Sequence, residues 1–251
     1  KTSANPSRVF FSAVASTERA PTGTLTVHGA NAEIFPADHW IDVGDDNRPI
    51  TGICVWRDEL FVFKETETFV IRLEFAGDPP TVWNTGQNVG AISARSIVNM
   101  GEQGVYFLGR RGGSLNVWRF RGGTAEPISR QIEDDLNVDV LTGSSYTVQP
   151  NAARYRDQYI MCFTHVSTPT YKIARYDTIL DRWTWDTEVS AGCWANYDGP
   201  EDTGQLYYGH ATNGWIVQWD KPTSAGDFVH SAPPNPADAS LIFQTGWLDL
   251  G

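Results

Sequence analysis

Few residues in this chain stand at the spacings that chemistry requires. Asp42 with Asp45-Asp46 makes an acidic loop of the kind that could attract a cation. It lacks the D-x-D-x-D-G pattern and the later bidentate Glu of a calcium loop, so solvated turn residues are the expectation. Glu133-Asp134-Asp135 reads in the same way, as an exposed acidic turn. The five histidines, His28, His39, His165, His210 and His230, form no H-x-H or H-E-x-x-H pair that would bring two imidazoles to one metal. There is no G-x-S-x-G elbow, and Gly109-Arg-Arg-Gly-Gly113 lacks the Lys-Ser/Thr of a phosphate loop. It reads instead as a hairpin turn between two strands. Arg110, Arg111, Arg119 and Arg121 gather around it, which suits a solvated turn or a docking patch for an acidic partner.

Carboxylates that a glycosidase would place around a pocket exist in Asp58, Glu65, Asp157 and Asp198. Their spacing singles out no acid and no nucleophile. Sialidase-type Ser-x-Asp-x-Gly-x-x-Trp turns are absent from the sequence. No catalytic, cofactor-binding or metal-binding residue is assigned, no cofactor is expected, and the chain is expected not to be an enzyme. Cys54, Cys162 and Cys193 lie in apolar strand-like runs without C-x-x-C spacing. Their odd number rules out full pairing within the chain, so reduced core thiols are expected, with one incidental bridge as the alternative.

The elements that carry these residues repeat. A short apolar-aromatic run entered through a polar turn begins at Val9, Leu60, Val105, Tyr159 and Leu206, at steps of 45–54 residues. A second run follows each: Thr24 to His28, Phe69 to Leu73, Leu115 to Phe120, Lys172 to Asp177 and Trp215 to Asp220. A third comes next, at His39 to Val43, Thr81 to Asn84, Glu126 to Ile132, Arg182 to Glu188 and Leu241 to Leu250. An opening run precedes all but the first, at Ile50 to Trp56, Ala94 to Met100, Asn151 to Tyr155 and Gly192 to Tyr197.

Four strands in about 45–54 residues is the arithmetic of a β-propeller blade. Such a sheet has two faces to bury and stacks them on its neighbours, which accounts for the Trp, Tyr, Val and Ile in the strands. The fold class expected is all-β: a propeller, five blades with six as the alternative, each of four antiparallel strands. Ser129 to Leu136 suits either a turn or two of helix or an irregular outer strand. Residues 1–251 are expected to form one domain, with a Pro-rich excursion at Ser231 to Asp238.

Composition agrees. The 251 residues are 41% hydrophobic and 12% aromatic, and no apolar run reaches the roughly 20 residues of a membrane helix, so no membrane partner is expected. The net charge of −11 argues against a surface that grips nucleic acid through its phosphates. An acidic wall beside DNA, in at most non-specific proximity to it, remains compatible. The chain opens at Lys1 without Met or an apolar leader, so a fragment of a longer chain, a processed product or an engineered piece is expected.

The order of several motifs carries a resemblance. Asn5 to Ser12 (NPSRVFFS), Asp42 to Glu65, Gly86 to Ser96 (GQNVGAISARS), Gly104 to Gly109 (GVYFLG), Ala153 to Tyr159 (ARYRDQY) and Tyr176 to Trp185 (YDTILDRWTW) occur in sequence. They resemble β-propeller domains of tailed-bacteriophage structural proteins, especially the tail hub or nozzle of short-tailed phages. The resemblance spans Asn5 to Trp185 well and the rest loosely. It implies a virion location in the phage tail, and a homo-oligomer in a hexameric ring below the portal and head-tail adaptor. Neighbouring tail subunits would be the partners, around the channel through which DNA leaves. Leu241 to Gly251 is similar to the segment by which that family leaves the propeller for a further domain. The family has no catalytic residues to carry over.

Two competitors remain. Trp56, Trp83, Trp194 and Tyr197 at loop ends would suit sugar stacking in a carbohydrate-binding or glycoside-cleaving propeller. A cellular interaction propeller of the kelch or WD type would need paired glycines or Gly-His turns. Only Trp185-Asp186 and Trp219-Asp220 match a blade-ending Trp-Asp.

Overall fold

Alternation of β-branched and aromatic residues, broken every few positions by a residue with positive φ, gives short strands joined by tight turns. The computed structural model describes residues 5–10, 40–72, 80–121, 123–141, 146, 150–167, 171–186, 189, 191–197, 204–210 and 216–219. The chain divides into two compact units, Lys1–Gln218 and Trp219–Gly251. The strands lie in the first.

The architecture is an all-β propeller. Its sheets are simple antiparallel meanders: β3 (Gly52–Trp56), β4 (Glu59–Phe63), β5 (Thr68–Arg72) and β6 (Thr81–Asn84) in the first blade. The second holds β7 (Val98–Asn99), β8 (Val105–Arg111), β9 (Ser114–Arg121) and β10 (Thr124–Pro127). The third holds β11 (Asn151–Tyr155), β12 (Gln158–Thr164), β13 (Tyr171–Asp177) and β14 (Arg182–Asp186). The fourth has three described strands, β15 (Ala191–Tyr197), β16 (Gln205–His210) and β17 (Ile216–Gln218).

Among the described residues the blade count is four, which corrects the expected five and the alternative six. The run at Val9 does form a strand, β1 (Arg8–Phe10), but β1 pairs directly with β2 (Trp40–Asp42), Val9 opposite Ile41. The two strands described for this sheet offer too narrow a face to act as a wedge. Val9 and Ile41 pack instead against the cluster of Val43, Ile50, Val62, Phe69 and Ile71, covering the first blade. The run expected at Thr24 to His28 lies outside the described residues, as do Ser231 to Asp238 and Leu241 to Gly251.

Faces stack as the aromatic content demands. Between the first and second blades lie Trp56, Phe61, Phe63, Val70, Phe107 and Phe120, with the Phe61 and Phe120 rings edge-on at 5.1 Å. Between the second and third lie Tyr106, Leu108, Tyr159, Met161, Tyr176 and Trp183, with Tyr106 and Tyr159 at 5.6 Å. Fully burying each such ring removes it from water at a gain of about 1.5–3 kcal/mol.

Ser129 to Leu136 resolves as helical: a 3-10 turn at Arg130–Ile132 runs through Glu133–Asp135 into a wide turn at Leu136–Leu141. It ends the outer strand β10 early, at Pro127, where the sequence suggested a strand to Ile132. Leu136 and Val140 are buried in the cluster between the second and third blades, and Trp185 Nε1 donates to Asp135 Oδ2 at 2.8 Å.

Candidate functional site

The innermost strands β7, β11 and β15 line an open axial cleft of about 630 Å³. Its walls are Ile97, Val98, Asn99, Gly101, Ala152, Ala153, Arg154, Trp194, Ala195 and Asn196. Small residues make the floor, so the few large side chains set its chemistry. Side-chain donors tie inner strands to a neighbouring blade. Asn99 Nδ2 donates to Val55 O at 2.7 Å, Trp56 Nε1 to Gly101 O at 2.6 Å and Trp194 Nε1 to Asn151 O at 3.2 Å. These bonds satisfy backbone carbonyls that the sheets leave over and hold the indoles in fixed orientations. No carboxylate stands among the described residues of the lining.

The residues of the acidic loop, Asp42, Asp45 and Asp46, are exposed, as expected of solvated turn residues, and the loop's backbone has a further task. Lys64, at the end of the apolar run of β4, is 0% exposed, and its Nζ sits beneath Asp45 and Asp46. It donates to Ser7 Oγ at 2.9 Å and to Asp45 O at 2.5 Å, while Ser7 Oγ donates to Asp45 O. The Phe69 ring centroid is 5.6 Å from the ammonium, and Gly44, at φ +62°, leaves room above it where a Cβ would meet Phe69 at 2.7 Å. Burial lowers the Lys64 pKa from its ordinary value, opposed by the carboxylates of Asp45, Glu67 and Asp46. The loop thus closes over an internal ammonium and clamps Ser7 to the first blade.

The other carboxylates do not converge. Asp58 occupies the β3–β4 turn, whose Arg57 and Asp58 have φ of 49° and 62°. Asp157 lies in the corresponding β11–β12 turn, and Glu65 in the β4–β5 turn at the opposite end of the strands. Asp198 lies outside the described residues. Glu133 accepts from Asn116 Nδ2 at 3.2 Å and Asp135 from Trp185, so two members of that acidic run join blades. His165 follows the last residue of β12 and His210 ends β16, in different blades, and His28, His39 and His230 are outside the described residues. No group of three metal-ligating side chains occurs among the described residues.

The arginine cluster is divided. Gly112 and Gly113, at φ 61° and 91°, make the expected hairpin turn. Arg119 pairs with Glu126 at 2.5 Å, while the Arg111 guanidinium lies 5.8 Å from the Trp118 ring centroid. Of the loop-end aromatics, Trp56 and Trp83 share a groove of about 440 Å³ with Arg57, Glu59 and Arg72, apart from Trp194. Trp56 is core, Trp83 is partly exposed beneath the Arg72 guanidinium at 4.9 Å, and only Trp194 lines the axial cleft. The Tyr197 side chain lies outside what is described. All three cysteines are free: Cys162 buried, Cys54 half-buried, Cys193 exposed.

One surface feature had no signal in residue type alone. The β13–β14 turn carries Ile179 and Leu180, 75% and 68% exposed. Asp177 Oδ1 accepts from Ile179 N at 2.9 Å and Leu180 N at 3.0 Å. The Leu180 amide first, then that of Ile179, holds the Asp177 carboxyl below its usual range. Tyr176 Oη donates to Asp181 Oδ1 at 2.6 Å, and Thr178 N donates to Asp157 O at 2.9 Å, bracing the tip against its neighbouring turn. Two bare aliphatic side chains are thereby held on a stiff frame.

No family model matches the chain, and no curated protein matches it. Among solved structures, one titled as a bifunctional GH43-CE protein of Bacteroides eggerthii is similar, at 13% identity and a TM-score of 0.36. The likeness covers 66% of this chain, which spans 25% of that protein's length.

Proposed function

We propose that the chain is a structural component of a phage tail, a propeller of the hub or nozzle class that docks neighbouring tail subunits through its hairpin tips. The observation that carries the reading is the braced Ile179–Leu180 tip. Exposed aliphatics cost solubility, and here a two-amide turn and a buttressing tyrosine hold them in one conformation. Preorganised apolar anchors with a polar surround are what a protein interface uses. The ordered motifs from Asn5 to Trp185 supply the choice of assembly. In that role the net charge of −11 would keep DNA from adhering to a channel nearby.

Electron microscopy of purified particles with a tag on this chain tests the proposal. Label in a ring at the tail, in multiples of six, is the expected result. A soluble monomer with no label on any particle would remove it.

A further inference from the structure

We infer that the axial cleft binds a carboxylated saccharide, with Arg154 receiving the carboxylate. The inference goes beyond the tail role and does not depend on it. Strands β11 and β15 lie side by side at the axis and bring Arg154, Trp194 and Asn196 into one wall. Each is a different kind of contact, and together they match one kind of ligand.

Arg154 is exposed, and no carboxylate among the described residues pairs with it. Its Nε donates to Arg156 O at 3.2 Å, which fixes the plane of the guanidinium. Nη1 lies over Gly101, where a Cβ would come within 2.9 Å, so glycine at φ +65° makes the space that the group occupies. The adjoining acidic turn is already neutralised, because Glu102 pairs with Arg57 at 2.8 Å. In a chain of net charge −11, a fork of donors without a carboxylate partner is a local anion receptor.

Trp194 supplies an aromatic wall. Its indole N–H is bonded to Asn151 O and its ring tilts against Tyr208 at 5.6 Å, so the ring is set before any ligand arrives. A rigid indole suits the C–H face of a pyranose, and the exposed Asn196 carboxamide offers donor and acceptor to vicinal hydroxyls. A simple carboxylic acid would leave the indole and amide unused, and a neutral sugar would leave the guanidinium unpaired. The 630 Å³ of the cleft is within the range for small ligands.

Calorimetric titration of the full chain with trigalacturonic acid, its methyl ester and inorganic phosphate tests this. Trigalacturonic acid should saturate with Kd below about 1 mM, and both the ester and the Arg154→Ala variant should weaken binding about tenfold or more. Arg154→Lys should recover part of the loss, as a point charge replaces the fork. Should Arg154→Ala not fold, the ester on the wild-type chain and Asn196→Ala, each expected to weaken binding, decide the matter. Equal binding of acid and ester, phosphate binding as tight as the saccharide, or no saturation at about 10 mM would overturn the inference. These outcomes are read on isolated protein, so they are distinct from the fate of the particle labelling.

Discussion

At the scale of single residues, Lys64 was hidden in plain view. It closes an apolar run, and a lysine there reads as a snorkelling end of a strand. Its burial depends on Ser7 and Asp45, 57 and 19 residues away, and no local pattern encodes that meeting. Replacing Lys64 with Ala would remove one donor from Ser7 Oγ and one from the Asp45 carbonyl, which keep their bond to each other, and would open a cavity. A loss of about 2–4 kcal/mol in urea unfolding is expected. A change under about 0.5 kcal/mol would mean that the ammonium does not hold the clamp.

The cysteines were legible as reduced, apolar-run residues, but their individual exposures were not. Burial pushes the Cys162 thiol from 9.0 up to about 12 and Cys54 up to about 11. In the unfolded chain these thiols ionise near 9 while the folded ones keep their protons. The native state therefore binds more protons above that pH, and stability falls as pH climbs from about 9 toward 11–12. Cys162→Ala should flatten part of that slope in unfolding midpoints taken from pH 8 to 11. A maleimide should label exposed Cys193 first and Cys162 last.

At the scale of elements, the described strands of the four blades were largely legible, because turn residues bracket runs of β-branched and aromatic side chains. Asn151 to Tyr155 became β11 with the same ends, and Thr81 to Asn84 became β6. The failures have physical causes. β10 stops at Pro127 because Ser129 turns inward, where its hydroxyl accepts from Val117 N at 2.8 Å, a contact set by the neighbouring strand. The ribbon β1–β2 was misread because periodicity marks apolar runs without saying which run pairs with which. Arg154 and Asn196 had no signal either, since only the adjacency of β11 and β15 makes them a pair.

Glycines give the sharpest test at this scale. A Cβ on Gly90 would meet Lys64 O at 2.0 Å and Glu67 O at 2.5 Å, backbone of the previous blade. Gly112 has nothing within 4 Å and a φ of +61°. Gly90→Ala should therefore cost about 3 kcal/mol through displaced backbone, and Gly112→Ala about 1 kcal/mol through its left-handed conformation alone. Equal costs in denaturant unfolding would contradict the close approach of the blades at Gly90.

At the scale of the molecule, the propeller was legible from the repeat length, and the number of blades was not. A count of repeats assumes that each copy completes its sheet, and the copy at Val9 contributes a ribbon. The tip prediction belongs here. Changing Ile179 and Leu180 together to Ser removes no buried contact and should leave stability within about 0.5 kcal/mol of the parent. The variant should nonetheless fail to enter labelled particles. Normal incorporation would place the docking surface elsewhere on the propeller.

The side-chain tethers at the axis have one more consequence. Trp56 reaches a carbonyl 45 residues ahead, Trp194 one 43 residues behind, and Asn99 one 44 residues behind. Each span is one repeat. A chain leaving the ribosome at about 5–20 residues per second would expose a new blade every few seconds, while the preceding one already offers a finished face. Sheet formation on the millisecond-to-second scale keeps pace with that schedule. The order of the blades in space is then also the order of their completion in time, with each serving as the template for its successor.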